Sequence, residues 1–180
     1  VSDRNSDGLN LLFNTETGRQ FLVDRKGIDR DFVSHVLPRF GLSGIANILL
    51  SIKLAKYLNL GPEEAVVTVA TDSAAMYDTE KEKTRASLYP DGFDMVAAGE
   101  TFGEPLAGVG TDNLNELDFV GRNRVFNLGY YTWVEQQGIS IEEFEVRRSQ
   151  DFWNGLMNLI PAWDTMIDEF NRRTGVVRHT

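Results

Sequence analysis

Small residues at positions 41–44 (GLSG) form the first feature of the sequence that could bind a ligand. Gly41, Ser43 and Gly44 directly precede a long apolar pattern of helical period. Such a turn presents the free N–H groups and the positive dipole end of a helix to an anion. We therefore predict a ligand-binding helix N-terminus here, with Ser43 as the N-cap residue.

A polar triplet, Thr71, Asp72 and Ser73, forms the second feature and directly follows the apolar run AVVTVA at residues 65–70. In open α/β sheets, ligands bind beyond the carboxyl ends of the strands. The alternation of side chains along a strand places Thr71 and Ser73 on one side and Asp72 on the other. Ser73 has a second interpretation of equal weight, in which its hydroxyl caps a helical turn at residues 74–77.

Other residue types exclude several kinds of site. The chain has no cysteine, which excludes disulfides and thiolate chemistry, and its two histidines, His35 and His179, are distant in sequence. We predict a structural or surface role for His35, a frayed tail at His179, and no metal site. Gly103, Gly108 and Gly110 follow no strand, so we predict a mobile loop rather than a phosphate cradle. We assign no catalytic residue to this chain.

The composition limits the class of protein. With 180 residues, a formal net charge of −9 and 42% hydrophobic residues, the chain is typical of an acidic globular protein. Nucleic acids and anionic membrane surfaces need clustered positive charge, so neither is an expected partner. No apolar run reaches the ~20 residues of a membrane span, and no secretory signal is visible. These features favour a cytoplasmic location.

Residues 65–70 determine the predicted fold class. A short β-branched run without charge is typical of a strand that is buried on both faces of a parallel sheet. The preceding helix, which ends near Leu58 and is followed by Gly61 and Pro62, completes half of an α/β unit. We therefore predict a helix-rich α/β fold. Because no second strand of this kind is present, we expect the strand to take sheet partners from elsewhere.

The second half of the chain has only helical signals. Ser140 and Glu143 fit a capping box, and Gly138 and Gly175 are predicted to end helices. An aromatic stripe that includes Tyr130 and Trp133 is predicted to lie in the core rather than at a subunit interface. We divide the chain into an α/β part at residues 1–90 and an all-helical extension at residues 91–180.

Residues 41–77 resemble the C-terminal part of the catalytic domain of pyridoxal-phosphate enzymes of the cysteine synthase and cystathionine β-synthase family. This family has the tryptophan-synthase-β-like fold, called fold type II. In it, a Gly-hydrophobic-Ser-Ser-Gly turn starts a long helix, and a buried strand then ends in a Pro-Asp-Ser-Gly-Glu-Arg-Tyr-like motif. Ser73 and Tyr77 match the serine and tyrosine of that motif, whereas Thr71 replaces its proline and Gly44 replaces the second serine of the turn. Residues 126–138 resemble the tail of a bacterial subgroup of the family.

The resemblance implies a cofactor site and a reaction class. It places the Ser73 hydroxyl opposite the pyridine nitrogen of pyridoxal 5′-phosphate, with Thr71 and Asp72 beside it. It also places Gly41, Ser43 and Gly44 near the substrate. A neutral hydroxyl does not hold the ring nitrogen protonated, which favours β-elimination or β-replacement on a serine- or cysteine-type amino acid over transamination.

The family's Schiff-base lysine has no counterpart in this chain, whose lysines are Lys26, Lys53, Lys56, Lys81 and Lys83. The resemblance therefore implies a C-terminal portion that is inactive alone and works with the remainder of the enzyme or with a second chain. Because the family is commonly dimeric, it also implies a homo-oligomer. The alternative is a non-catalytic binding or subunit-interaction module that retains the α/β shape.

Overall fold

The computed structural model of the protein describes residues 1–176, so His179 lies outside the described residues. The α-helices are α1 (Asp3–Asn14), α2 (Glu16–Lys26), α3 (Leu42–Leu58), α4 (Asp78–Leu88), α5 (Met95–Phe102), α6 (Phe119–Tyr130), α7 (Ile141–Glu145), α8 (Gln150–Met157) and α9 (Ile160–Thr174). Short π-helical turns lie at Phe32–Val36, Gly103–Ala107 and Tyr131–Gln136, and 3-10 turns at Leu37–Arg39, Ala74–Tyr77 and Val146–Arg148.

The predicted α/β fold, and with it the fold type II domain, is wrong for the described residues. None of residues 1–176 forms a sheet. Residues 65–70, which we call the valine segment, run without helix, turn or bend but have no paired neighbour. β-Branched side chains pack well on the surface of a sheet, but a segment becomes a strand only when another strand pairs with it through backbone hydrogen bonds. The segment is not buried either, because Val67 is 92% exposed.

The chain divides into two compact units, and unit 1 (Val1–Asn115) contains a well-packed helical core. Its central element is α1, which contacts α2, α3, α4 and α5. Leu9, Leu11 and Leu12 of α1 are almost completely buried, as are Ile45 and Leu49 of α3. Burial of consecutive residues on most faces of α1 explains why four helices can surround it.

Helix α3 begins two residues earlier than Ser43 predicts. The N-cap residue is Gly41, so Ser43 lies in the first helical turn. The helix ends at Asn59, whose φ of 52° is the left-handed conformation typical of a helix C-terminus. Leu50 and Leu54 on its outer side are 51% and 41% exposed. One face of α3 therefore packs into the core while apolar residues remain on the other.

In unit 2 (Glu116–Thr180), several residues that begin or end helices are those that the sequence predicts. Ser140 and Glu143 form the predicted capping box at α7, and Gly138 and Gly175 have positive φ values of 71° and 72° at helix ends. The predicted burial of the aromatic stripe is wrong for Trp133, which is 44% exposed, whereas Tyr130 is partly buried. Large apolar residues are also exposed on α8 and α9: Trp153, Leu156, Met157, Ile160, Trp163, Met166, Ile167 and Phe170.

Candidate functional site

The predicted turn and the predicted triplet meet in unit 1. The Gly41 N–H donates a hydrogen bond of 2.8 Å to the Asp72 carbonyl oxygen. An added Cβ at Gly41 would lie 2.3 Å from Asp72 Oδ1 and 2.6 Å from Tyr77 Cε2. The φ of Gly41 is −75°, which any residue adopts. Close approach of the two segments is therefore what requires a glycine here.

Asp72 holds the triplet against the turn that follows it. Its carboxylate accepts a hydrogen bond from the Tyr77 hydroxyl, and the Thr71 hydroxyl donates to Oδ1 at 3.3 Å. The hydrogen bond to Asp72 raises the pKa of Tyr77 above its ordinary value. Desolvation and the negative charge of Asp72 add to this rise in pKa, and a hydrogen bond with Ser43 opposes it. Tyr77 thus remains a neutral donor, and Asp72 contributes to the structure of this site.

Ser73 occupies an N-cap position without acting as a side-chain cap. Its backbone is extended, with φ −102° and ψ 159°, and it precedes the turn Ala74–Tyr77. Its side chain makes no capping hydrogen bond, and no described residue hydrogen-bonds its hydroxyl. The residue is partly exposed. Ser73 therefore has the predicted position at the start of this turn, but its hydroxyl does not cap the turn and can still bind a ligand atom.

The N-terminus of α3 has a carboxylate from its own chain nearby. Asp72 lies beside Gly41, where the positive end of the helix dipole favours a negative charge. Gly44 has a packing role, because an added Cβ there would lie 3.1 Å from the Phe40 ring. The Asp72 carboxylate therefore contributes negative charge near this helix end.

A buried lysine, Lys53, was missed by the sequence analysis. Its side chain is 8% exposed, and Nζ donates to the Gly110 and Asp112 carbonyl oxygens at 3.1 and 2.7 Å and to Asp112 Oδ1 at 3.0 Å. This hydrogen bond and the lysine charge lower the pKa of Asp112. The signal in the sequence is the spacing, because Lys53 continues the buried series Ile45 and Leu49 at four-residue intervals. The loop that contains Gly110 and Asp112 is therefore bound to α3.

The lysines of this chain do not provide an anchor for pyridoxal phosphate at Ser73. Lys56 donates to the Val109 carbonyl oxygen, and Lys81 and Lys83 pair with Asp78 and Glu80, each at 2.7 Å. Lys26 lies over two aromatic rings, those of Phe21 and Phe102. Because Lys53 is also engaged, the residues present do not fit the coenzyme on their own.

Other kinds of site receive no support from the described residues. Residues 1–176 contain no group of three or more His, Asp or Glu side chains that could hold a metal ion. His35 is exposed, with Nδ1 3.2 Å from the Asp31 carbonyl oxygen. No single helix among these residues is long and apolar enough to cross a membrane; only the pair Phe32–Arg39 and Leu42–Leu58, bent by 101°, reaches that length and apolarity together.

The chain matches no protein-family model, no curated protein and no solved structure at a significant level. The resemblance of residues 41–77 to pyridoxal-phosphate enzymes therefore stays a prediction.

Proposed function

We propose that this chain contributes the C-terminal part of a pyridoxal-phosphate-dependent lyase or synthase. The assembled enzyme would catalyse β-elimination or β-replacement on a serine- or cysteine-type amino acid. The single observation that carries the proposal is the Ser73 hydroxyl, which no described residue binds. It stands at the position that the resemblance assigns to the partner of the pyridine nitrogen.

The residues around Ser73 position it from two directions. The hydrogen bond from Gly41 to the Asp72 carbonyl oxygen ties the triplet to the start of α3. The bond between Tyr77 and the Asp72 carboxylate ties it to the turn that follows. Two hydrogen bonds on the preceding residue restrict the backbone beside Ser73, and its hydroxyl remains free to turn toward a ligand atom.

Catalysis by this chain alone is not expected. The coenzyme must be held by a lysine and by phosphate-binding groups, and the five lysines of this chain are engaged elsewhere. We therefore propose that the anchoring lysine comes from another polypeptide or from further residues of a longer protein. The amino-acid substrate would bind in the resulting assembly.

Substitution at Ser73 tests the proposal in the assembly purified through a tag on this chain. We expect Ser73→Thr, which keeps a hydroxyl, to retain the coenzyme spectrum and most of the elimination activity. Ser73→Asp should change the spectrum and lose most of that activity, because a carboxylate holds the ring nitrogen protonated. Wild-type activity and spectrum in both Ser73→Asp and Ser73→Ala would overturn the assignment of Ser73.

A non-catalytic interaction module is the second candidate, without the α/β shape first expected for it. The observation that favours it is the exposure of the valine segment, where Val67 and Val69 are 92% and 66% exposed. An assembly that contains no coenzyme but retains a stoichiometric partner would support this candidate over the enzyme.

A further inference from the structure

We propose that the valine segment adds as a β-strand to the edge of a sheet in a partner polypeptide. Strand addition of this kind uses main-chain hydrogen bonds for affinity and alternate side chains for specificity. The proposal is independent of the coenzyme assignment, because it rests on the backbone and side chains of residues 65–70.

The backbone groups of the valine segment have an open edge. Among residues 1–176, no backbone N–H of the segment donates to another backbone group. Asn47 Nδ2 donates to the Val69 carbonyl oxygen at 2.9 Å, which directs that edge of the segment toward α3. Because backbone groups alternate between the two edges of an extended chain, Val66, Thr68 and Ala70 form the opposite edge. That edge is available to a partner strand.

The side chains of the segment resemble those of a covered strand. Val67 is 92% and Val69 66% exposed, and the segment contains neither charge nor proline. Exposed strand edges in stable proteins are normally protected by charged residues, proline or a bulge. Across the segment, Leu50 and Leu54 of α3 line a cavity of about 380 Å³ together with Val66. Such an uncharged apolar stretch is stabilised when a partner covers it.

The chemistry of the segment specifies its partner. A row of unpaired N–H and C=O groups is complemented by another extended backbone, whereas a helix has already satisfied its own backbone groups. Glu63 and Glu64 precede the segment, whereas the Asp72 carboxylate after it already accepts hydrogen bonds from Tyr77 and Thr71. We therefore infer a partner strand of β-branched residues with lysine or arginine at the end that meets Glu63 and Glu64, because opposite charges on adjacent strands attract.

A synthetic peptide provides a direct probe of strand addition to the full chain. The peptide Lys-Thr-Val-Thr-Val-Thr-Val-Lys is added to isotope-labelled protein, and amide hydrogen exchange is followed residue by residue by NMR. When the concentration of free peptide is about ten times its dissociation constant, about one protein molecule in eleven is free. Exchange of the paired amides should therefore slow about elevenfold. We expect this protection at Val66, Thr68 and Ala70, and little change at Val67 and Val69.

Proline substitutions on the two edges give matched variants. Thr68→Pro removes an N–H from the open edge and should weaken peptide binding at least tenfold. Val67→Pro removes an N–H only from the edge that faces α3, so it should weaken peptide binding much less than Thr68→Pro does. Because residues 65–70 lie outside the buried core, both variants should keep the helical circular dichroism of the parent chain.

Three results would overturn the proposal. The first is the absence of peptide binding to the wild-type chain. The second is equal binding by both proline variants, or protection without alternation, because contact would then involve side chains alone. The third is protection of residues 65–70 that rises with protein concentration before peptide is added, which would make a second copy of this chain the occupant. None of these readouts involves the coenzyme, so they separate strand addition from the proposed enzyme activity.

Discussion

Gly41→Ala tests whether the turn and the triplet depend on the close approach that the structure describes. The added Cβ would lie 2.3 Å from Asp72 Oδ1 and 2.6 Å from Tyr77 Cε2, both well inside van der Waals contact. Overpacking of this kind costs about 1–3 kcal/mol, and replacing glycine at a permitted φ returns about 0.4–1 kcal/mol through the unfolded state. Because both contacts are to side-chain atoms that can move, we expect a net loss of about 1 kcal/mol in the free energy of unfolding.

The assay for Gly41→Ala combines urea unfolding with NMR titration of Tyr77. The variant should unfold at a lower urea concentration with an unchanged slope. The pKa of Tyr77 should fall toward its ordinary value, because moving Asp72 removes the hydrogen bond that raises it. Gly103→Ala is the matched control, since its φ is −68° and an added Cβ there has no neighbour within 4 Å. We expect the control to be unchanged or stabilised by up to about 1 kcal/mol.

The reasoning about Gly41 is refuted if the two alanine variants have the same stability. It is also refuted if Gly41→Ala is destabilised while the pKa of Tyr77 stays at the wild-type value. In that case the strain would be relieved somewhere other than at Asp72 and Tyr77.

Three further predictions concern unit 1. Lys53→Met should lower the free energy of unfolding by about 1 kcal/mol, because the loop that Lys53 binds loses hydrogen bonds to a charged donor. The control Lys83→Met, at an exposed position, should change the free energy of unfolding by less than about 0.5 kcal/mol. Equal effects of the two variants in urea unfolding would contradict the role of Lys53. Leu49→Ala should lower the free energy of unfolding by about 2–5 kcal/mol because Leu49 is fully buried. Leu50→Ala should lower it much less, because Leu50 is half exposed. A larger loss for Leu50→Ala would contradict the assignment of the buried face of α3. Because the pKa of Tyr77 is raised in the folded protein, Tyr77 keeps its proton to a higher pH there than in the unfolded protein, so the free energy of unfolding should fall as the pH rises above 10. Tyr77→Phe should reduce this fall. If the variant and the wild type lose stability equally above pH 10, Tyr77 does not contribute.

Helix ends could be predicted from the sequence because they depend on a few neighbouring residues. Gly138 and Gly175 have φ values of 71° and 72° at helix ends, and Ser140 and Glu143 cap α7 within four residues of each other. Such interactions form locally and need no distant partner.

The predicted strand, the start of α3 and the buried lysine depend on contacts that are distant in sequence. The valine segment has β-branched residues but no second strand among residues 1–176, so its composition could not make it a strand. Gly41 rather than Ser43 is the N-cap residue, and the N–H of Gly41 donates to the carbonyl oxygen of Asp72, 31 positions away. Lys53 is buried because the loop at Gly110, 57 residues later, supplies oxygen acceptors. Helical spacing alone does not identify Asp72 as the partner of Gly41 or the loop at Gly110 as the partner of Lys53.

The location of the lysine that holds the coenzyme tests the central claim most directly. The assembly is purified through a tag on this chain, reduced with borohydride to fix any bound pyridoxal phosphate, and mapped by peptide mass spectrometry. We predict stoichiometric coenzyme attached to a lysine outside residues 1–180. An assembly without coenzyme, or stoichiometric attachment to Lys26, Lys53, Lys56, Lys81 or Lys83, would contradict the account.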